Sequence, residues 1–413
     1  MKKLIRRESD WKQNLRQFAY FLNFFLTAFG NKAFAQNNPL LEVMALDNPK
    51  IKAVRQNLAD HEVQLLFVEV EKKAQHSSFK SHHFQREDST YFYPASTVKF
   101  PIAVLALQKI KQLQARGTAI TKDTPFHIID PKTGEYIQKT DSTHQNNQLT
   151  IAHLIKKIFL ISDNDAYNYL FDFLGKKAIN QGLDQRGIEH TAIRHKFLYG
   201  ADNERTWEYV FFNHQDTIYH QKSMYSSPLP SPQLKGQFKG KAYLSKGEKV
   251  LEPMDFSEKN WMALSAQVDL LKRIVFPQYF PFEQQFDLHQ SDLDFLSYWM
   301  SRSTLESDIA MYTTPEYYDS YGKFFLYGDT KGEMKDQIRI YNKVGYAYGT
   351  LTDIAYIEDK INEIAFFLAG TILVNKNKTF NDDIYEFEEK GIPFLAEVGR
   401  QLYLSIKNKK QQQ

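Results

Sequence analysis

Ser96-Thr97-Val98-Lys99 sets a hydroxyl and an amine three residues apart at the head of an apolar run. Residues at that spacing share a face of a helix, which brings Lys99 beside the Ser96 hydroxyl. A serine hydroxyl is a poor nucleophile at neutral pH and needs an adjacent base; a lysine whose pKa is lowered by burial or by a second cation can serve. The same pattern recurs at Ser77-Ser78-Phe79-Lys80 and Ser320-Tyr321-Gly322-Lys323, but neither opens an apolar helix. Ser162-Asp163-Asn164 interrupts a second apolar run and reads equally as a helix cap or turn. Lys343-Val344-Gly345 lies between two strand-like runs, where a cation on an edge strand beside a nucleophile would bind an anionic substrate group. A literal Lys-Thr-Gly at 132–134 follows the turn signal Asp130-Pro131 and lies upstream of Ser162, so it reads as a surface turn.

Positioning these groups falls to elements that the pattern of apolar residues predicts. Helical spacing covers 49–59, 98–113 and 149–174, the last broken only at 162–164, and 384–407 is a helical close. Runs rich in β-branched and aromatic residues predict strands at 63–70, 90–93, 338–345, 351–358 and 363–374. Strands at both ends around a helical middle predict an α+β fold. In it, an antiparallel sheet formed by both chain ends carries flanking helices, and an all-helical subdomain is inserted. Residues 202–260 and 276–336 fit neither pattern and read as long loops or insertions in a single domain spanning 36–413. Eight tyrosines fall within 312–348, which suits either a sugar- or peptide-binding rim or the packing of loop against core.

The chain has 413 residues, 42% hydrophobic and 24% charged, an ordinary globular profile. Its formal charge is +3, but residues 1–35 hold seven cations against Glu8 and Asp10, and the remainder carries −2. There is therefore no electrostatic case for nucleic-acid binding. The absence of cysteine excludes disulfides, a thiol nucleophile and cysteine-ligated metals. The basic start, the apolar stretch 18–29 and the triplet Ala33-Phe34-Ala35 predict a secretory signal cut after Ala35. About a dozen apolar residues are too few to cross a bilayer as a helix, which takes about 20. The expected product is an exported, periplasmic protein without stable membrane insertion.

Ser-x-x-Lys, Ser-Asp-Asn and Lys-x-Gly in this order are the signature of class A β-lactamases and penicillin-binding proteins. The chain resembles the class A-like branch of these serine hydrolases from about residue 45 to 405, outside the insertions. The likeness is strongest at 94–105, 149–174 and 342–357. The resemblance implies that Ser96 attacks a β-lactam or acyl-D-amino acid carbonyl, with Lys99 as its base and Ser162 relaying the proton to the leaving nitrogen. It implies that Asn164 binds the substrate's side-chain amide and that Lys343, followed by Gly345, supplies the field for its carboxylate. The backbone N–H groups of Ser96 and Tyr346 would form the oxyanion hole, worth about 3–4 kcal/mol in such enzymes. No metal or organic cofactor is implied, and the implied partner is a small β-lactam or cell-wall peptide.

Two departures stand out. Class A enzymes carry a glutamate that activates the deacylating water, and aligning Arg194 and Asn203 with that loop puts Tyr199 in its place. A phenol of pKa about 10 is a poor base at pH 7, leaving Asp202, Glu204 or Glu208 as substitutes in a remodelled loop. Val344 stands where the family has threonine or serine, and so lacks a hydroxyl that helps to bind the substrate carboxylate.

Overall fold

The computed structural model describes residues 38–72, 77–313 and 315–412, so the secretory signal read at 1–35 lies outside the described residues. The central sheet contains β1 (Gln64–Lys72), β2 (Ser77–Phe84), β3 (Ile338–Ala347), β4 (Thr350–Asp359) and β5 (Ile364–Leu373). Their spatial order is β3-β4-β5-β1-β2, antiparallel throughout, so the two chain ends do build one sheet. Strand periodicity sends Leu66 and Val68 to one face and Leu65 and Phe67 to the other. Both faces are covered, which is why β4 and β5 are apolar almost without alternation.

The helices are α1 (Lys99–Ala115), α2 (Ile151–Leu160), α3 (Asn164–Leu174), α4 (Leu264–Val275), α5 (Gln290–Ser301) and α6 (Ile392–Gln411). The face of Leu65 and Phe67 meets α6, and the opposite face meets α4 and the helical layer beyond it. Helix α1 is apolar on all sides over 100–107 and correspondingly buried there among its neighbours. Ser96 sits in the single 3-10 turn Ala95–Val98 that leads into it.

Three expectations change. Residues 90–93 form no strand beyond an isolated bridge at Thr90, and the second strand is 77–84 instead. The inserted part is not all-helical: Tyr136–Gln138, Phe126–Ile129, Glu208–Asn213 and Asp216–Gln221 pair as a four-stranded antiparallel sheet. The segments expected to be loops thus contain that hairpin and α5. Tyr209 and Phe211 alternate inward in a readable strand pattern; Gln221 and Tyr219 pair with them locally, but their partners on the other side, Ile128 and Phe126, lie some 80 residues upstream, beyond any local window. In α5 only Leu296, Trp299 and Met300 are buried apolar residues, too thin a stripe to stand out.

Candidate active site

The edge strand β3, the 3-10 turn and the α2–α3 junction converge on a cleft of about 1100 Å³, lined by Ser96, Ser162, Asn164, Lys343 and Tyr346 among others. Ala95 holds φ +46° and Ser162 φ +57°, left-handed conformations in non-glycine residues. Such backbone strain persists where surrounding structure over-determines it, and it flanks or occupies two of the three motifs. Ser162-Asp163-Asn164 serves both readings at once. Asp163 caps α3 by accepting from the Ala166 N–H at 2.7 Å, while Ser162 and Asn164 face the cleft.

Lys99 is buried and its Nζ donates to Asn164 Oδ1 at 2.7 Å, to Ser162 Oγ at 3.4 Å and to the Ser162 carbonyl. Lys343, 181 positions further along, donates its Nζ to the same Ser162 Oγ at 2.8 Å and to the Val344 carbonyl at 2.8 Å. One hydroxyl therefore lies between two buried amines. Burial pushes Lys99 down to about 7, against the opposing charges of Asp163 and Asp165. Burial, then the neighbouring Lys99, holds Lys343 well below the usual lysine range. A lysine with a lowered pKa gains its neutral, proton-accepting form as pH rises through that value. The acylation rate is accordingly expected to climb across pH 6–8 and then level, and a stopped-flow pH profile checks it.

Gly345 explains how β3 reaches the turn. A Cβ there would lie 2.6 Å from Pro94 O, 2.6 Å from Ser96 N and 2.8 Å from Thr97 N, all backbone atoms. Only glycine lets the strand edge lie alongside the Ser96 N–H. Gly345→Ala is expected to part strand from turn, lowering the acylation rate by about 10²-fold or more, as loss of an oxyanion donor does. Pre-steady-state acylation and a melting curve together read the effect.

The decoys separate cleanly. Ser77–Phe84 is strand β2, Lys132 is an exposed turn residue, and neither lines the cleft. Lys323 is buried behind β3, where it donates to Met300 O at 2.8 Å, Ile340 O at 3.0 Å and Asn342 Oδ1 at 2.8 Å.

The loop 195–203 forms the facing wall. Asn168 Oδ1 accepts from Phe197 N at 2.7 Å, Asn203 Oδ1 accepts from Lys196 N at 2.9 Å, and Lys196 pairs with Asp172 at 2.6 Å in the interior. Tyr199 is 94% exposed on the lip. What this loop turns toward Lys99 is the Phe197 ring, with its centroid 5.3 Å from Nζ. The three candidate substitute carboxylates are committed elsewhere: Asp202 to the Glu204 and Arg205 N–H groups, Glu204 to Lys176, and Glu208 to His220 and Lys222. None of them lines the cleft. His195, unmarked in the sequence, does line it; burial pushes it down to about 4, so it is neutral.

The model of the family described as "Beta-lactamase enzyme family" matches residues 49–405. The chain belongs to that family. It is a serine hydrolase of the β-lactamase type. Among solved structures it is similar to PBP-A at 16% identity and TM-score 0.50, over 90% of this chain and 97% of that one. A β-lactamase from Xanthomonas campestris pv. campestris matches at 15% identity and TM-score 0.49, over 89% and 99%. The chromosome-encoded β-lactamase of Vibrio parahaemolyticus matches at 12% identity and TM-score 0.47, over 87% and 98%. At 16% identity the likeness to PBP-A is one of fold. No curated protein matches the chain. Among the described residues no helix is long and apolar enough to cross a membrane, and no three His, Asp or Glu side chains are grouped to hold a metal ion.

Proposed function

We propose that this family member is an exported, class A-like serine hydrolase that forms an acyl-enzyme on a β-lactam or a related cell-wall amide or ester and releases it slowly. The observation that carries the reading is the shared Ser162 hydroxyl, which receives Lys343 at 2.8 Å and Lys99 at 3.4 Å at the mouth of the Ser96 turn. In this mechanism neutral Lys99 takes the Ser96 proton as Oγ attacks the carbonyl. The Ser96 and Tyr346 N–H groups receive the developing oxyanion, and Ser162 hands a proton to the leaving nitrogen. Lys343 orients Ser162 and supplies positive field, and Asn164 holds Lys99 and meets the substrate amide. The basic, apolar start of the chain supports export to the periplasm.

Slow release, as in a penicillin-binding peptidase or esterase, is favoured over rapid hydrolysis by the Phe197 ring that faces Lys99 where a carboxylate would activate water. A time course with a fluorescent penicillin tests the whole reading. Labelling that persists for minutes supports it, brief labelling indicates an efficient β-lactamase, and no labelling by penicillins or activated esters indicates a non-catalytic binding protein. Lys343→Ala is expected to lower kcat/KM by about 10–100-fold, each tenfold step corresponding to about 1.4 kcal/mol. Lys132→Ala is expected to leave it unchanged, and steady-state kinetics on both variants decides.

A further inference from the structure

Beyond Tyr346 the cleft continues onto an outer lip that the acylation chemistry does not use. Three side chains rim it from two distant segments: Tyr318 and Tyr321 from the tyrosine-rich stretch, and Tyr346 from the end of β3. Tyr318 and Tyr321 have ring centroids 5.8 Å apart, and Tyr346 meets Phe324 at 6.2 Å and Phe387 at 5.5 Å. Other tyrosines of the stretch pack inward: Tyr312 is buried, and Tyr341 lies on Tyr356 of the sheet. Tyr346, by contrast, leaves 53% of its surface open.

Beside this wall stands a π-helical turn, Phe387–Gly391, an uncommon element often found at functional sites, and its Phe387 is the ring that meets Tyr346. It is pressed onto β4, since a Cβ on Gly391 would lie 2.0 Å from Leu351 Cδ1. This turn points Glu388 and Glu389 at the cleft, both exposed, and neither forms a hydrogen bond or ion pair with another described residue. Lys390, next in the chain, does not line the cleft. Aromatic faces attract cations through their quadrupole, and Tyr318 already takes one: Lys331 Nζ, which does not line the cleft, stands 5.6 Å from its centroid.

We propose that the Tyr318–Tyr321–Tyr346 wall, with Glu388 and Glu389 beside it, is a subsite for a primary ammonium group carried by the substrate away from its reacting carbonyl. The reading rests on the acyl-enzyme function above, and it names the substrate class as amine-bearing acyl compounds. Rings and carboxylates together select against both a neutral and an anionic group at this end, while the carbonyl end stays beside Ser96.

The test is calorimetric, on Ser96→Ala protein, so that it does not depend on turnover. Three probes share a phenylacetyl amide head and a five-carbon tail ending in a primary amine, the same amine acetylated, or a carboxylate. The amine probe is expected to bind about tenfold tighter than the acetylated one at low salt, with the advantage shrinking as salt rises. The doubly substituted Glu388→Gln/Glu389→Gln protein should lose that advantage while binding the acetylated probe unchanged, and Tyr346→Leu should reduce it. Equal binding of amine and acetylated probes, tighter binding of the carboxylate, or no binding by any of the three overturns the subsite. Failure of the acylation chemistry would show separately, as absent labelling of the unsubstituted protein by a fluorescent penicillin.

Discussion

Ser96→Ala is expected to abolish covalent labelling by any susceptible β-lactam or activated ester, with a loss of turnover on the order of 10⁶, as when a serine hydrolase loses its nucleophile. The argument is positional. Of the three Ser-x-x-Lys matches, only this one opens a buried apolar helix and faces a strand edge with no Cβ in the way; burial lowers Lys323 of the Ser320 match to about 7 just as it lowers Lys99, so placement and not proton affinity separates the two. Ser320, by contrast, is buried behind β3, and its lysine is spent on two backbone carbonyls and the Asn342 side chain. Ser320→Ala should therefore acylate normally if it folds, as should Ser77→Ala in strand β2. Mass spectrometry of the trapped adduct reads the result, and an adduct on a peptide lacking Ser96 would overturn the assignment.

The second large effect is in deacylation. A carboxylate that deprotonates the attacking water contributes about 10²–10⁴-fold, and the loop facing Lys99 offers a phenyl ring instead. Rapid mixing is therefore expected to give a burst of product equal to the enzyme concentration, followed by slow turnover. Phe197→Glu would place a carboxylate on the side chain that approaches Lys99, and it should speed the slow phase by one to several powers of ten, within the about 10⁴-fold ceiling of general-base assistance. Tyr199→Glu, at a position 94% exposed, should do nothing. Linear turnover at hundreds per second with no burst would mean that an efficient base reaches the ester from elsewhere. The Phe197 ring also stacks on Tyr167, 4.5 Å away, so a melting curve on Phe197→Glu must accompany the kinetics.

Much of the site was legible because its chemistry is local. Ser96 and Lys99 are three residues apart, Ser162 to Asn164 are contiguous, and each motif punctuates an apolar run whose period is visible in a short window. Four of the five strands of the central sheet, all but β2, were legible for the same reason: β4 and β5 are largely apolar, β1 and β3 are rich in β-branched and aromatic residues, and the Tyr348-Gly349 turn between β3 and β4, with φ of +51° and +72°, is a tight two-residue hairpin. Where one partner strand was distant, as for Glu208–Asn213, or the buried apolar stripe of a helix was thin, as in Gln290–Ser301, the reading defaulted to loop.

The order of the motifs and the chemical type of each candidate site residue were determined by the amino-acid sequence alone. Only the tertiary structure decided which residue faces which. A count of positions along the 195–203 loop made Tyr199 the counterpart of the glutamate that activates the deacylating water. The actual path, pinned by Asn168, Asn203 and the buried Lys196–Asp172 pair, turns Phe197 inward and Tyr199 to solvent. Likewise no spacing rule joins Ser162 to Lys343 across 181 positions, or Tyr346 to Glu388 across the end of the sheet. Side-chain direction in an irregular loop has no period to read. The lowered proton affinity of Lys99 depends on burial, and that of Lys343 on burial and on the nearness of Lys99, quantities that exist only once the chain has folded.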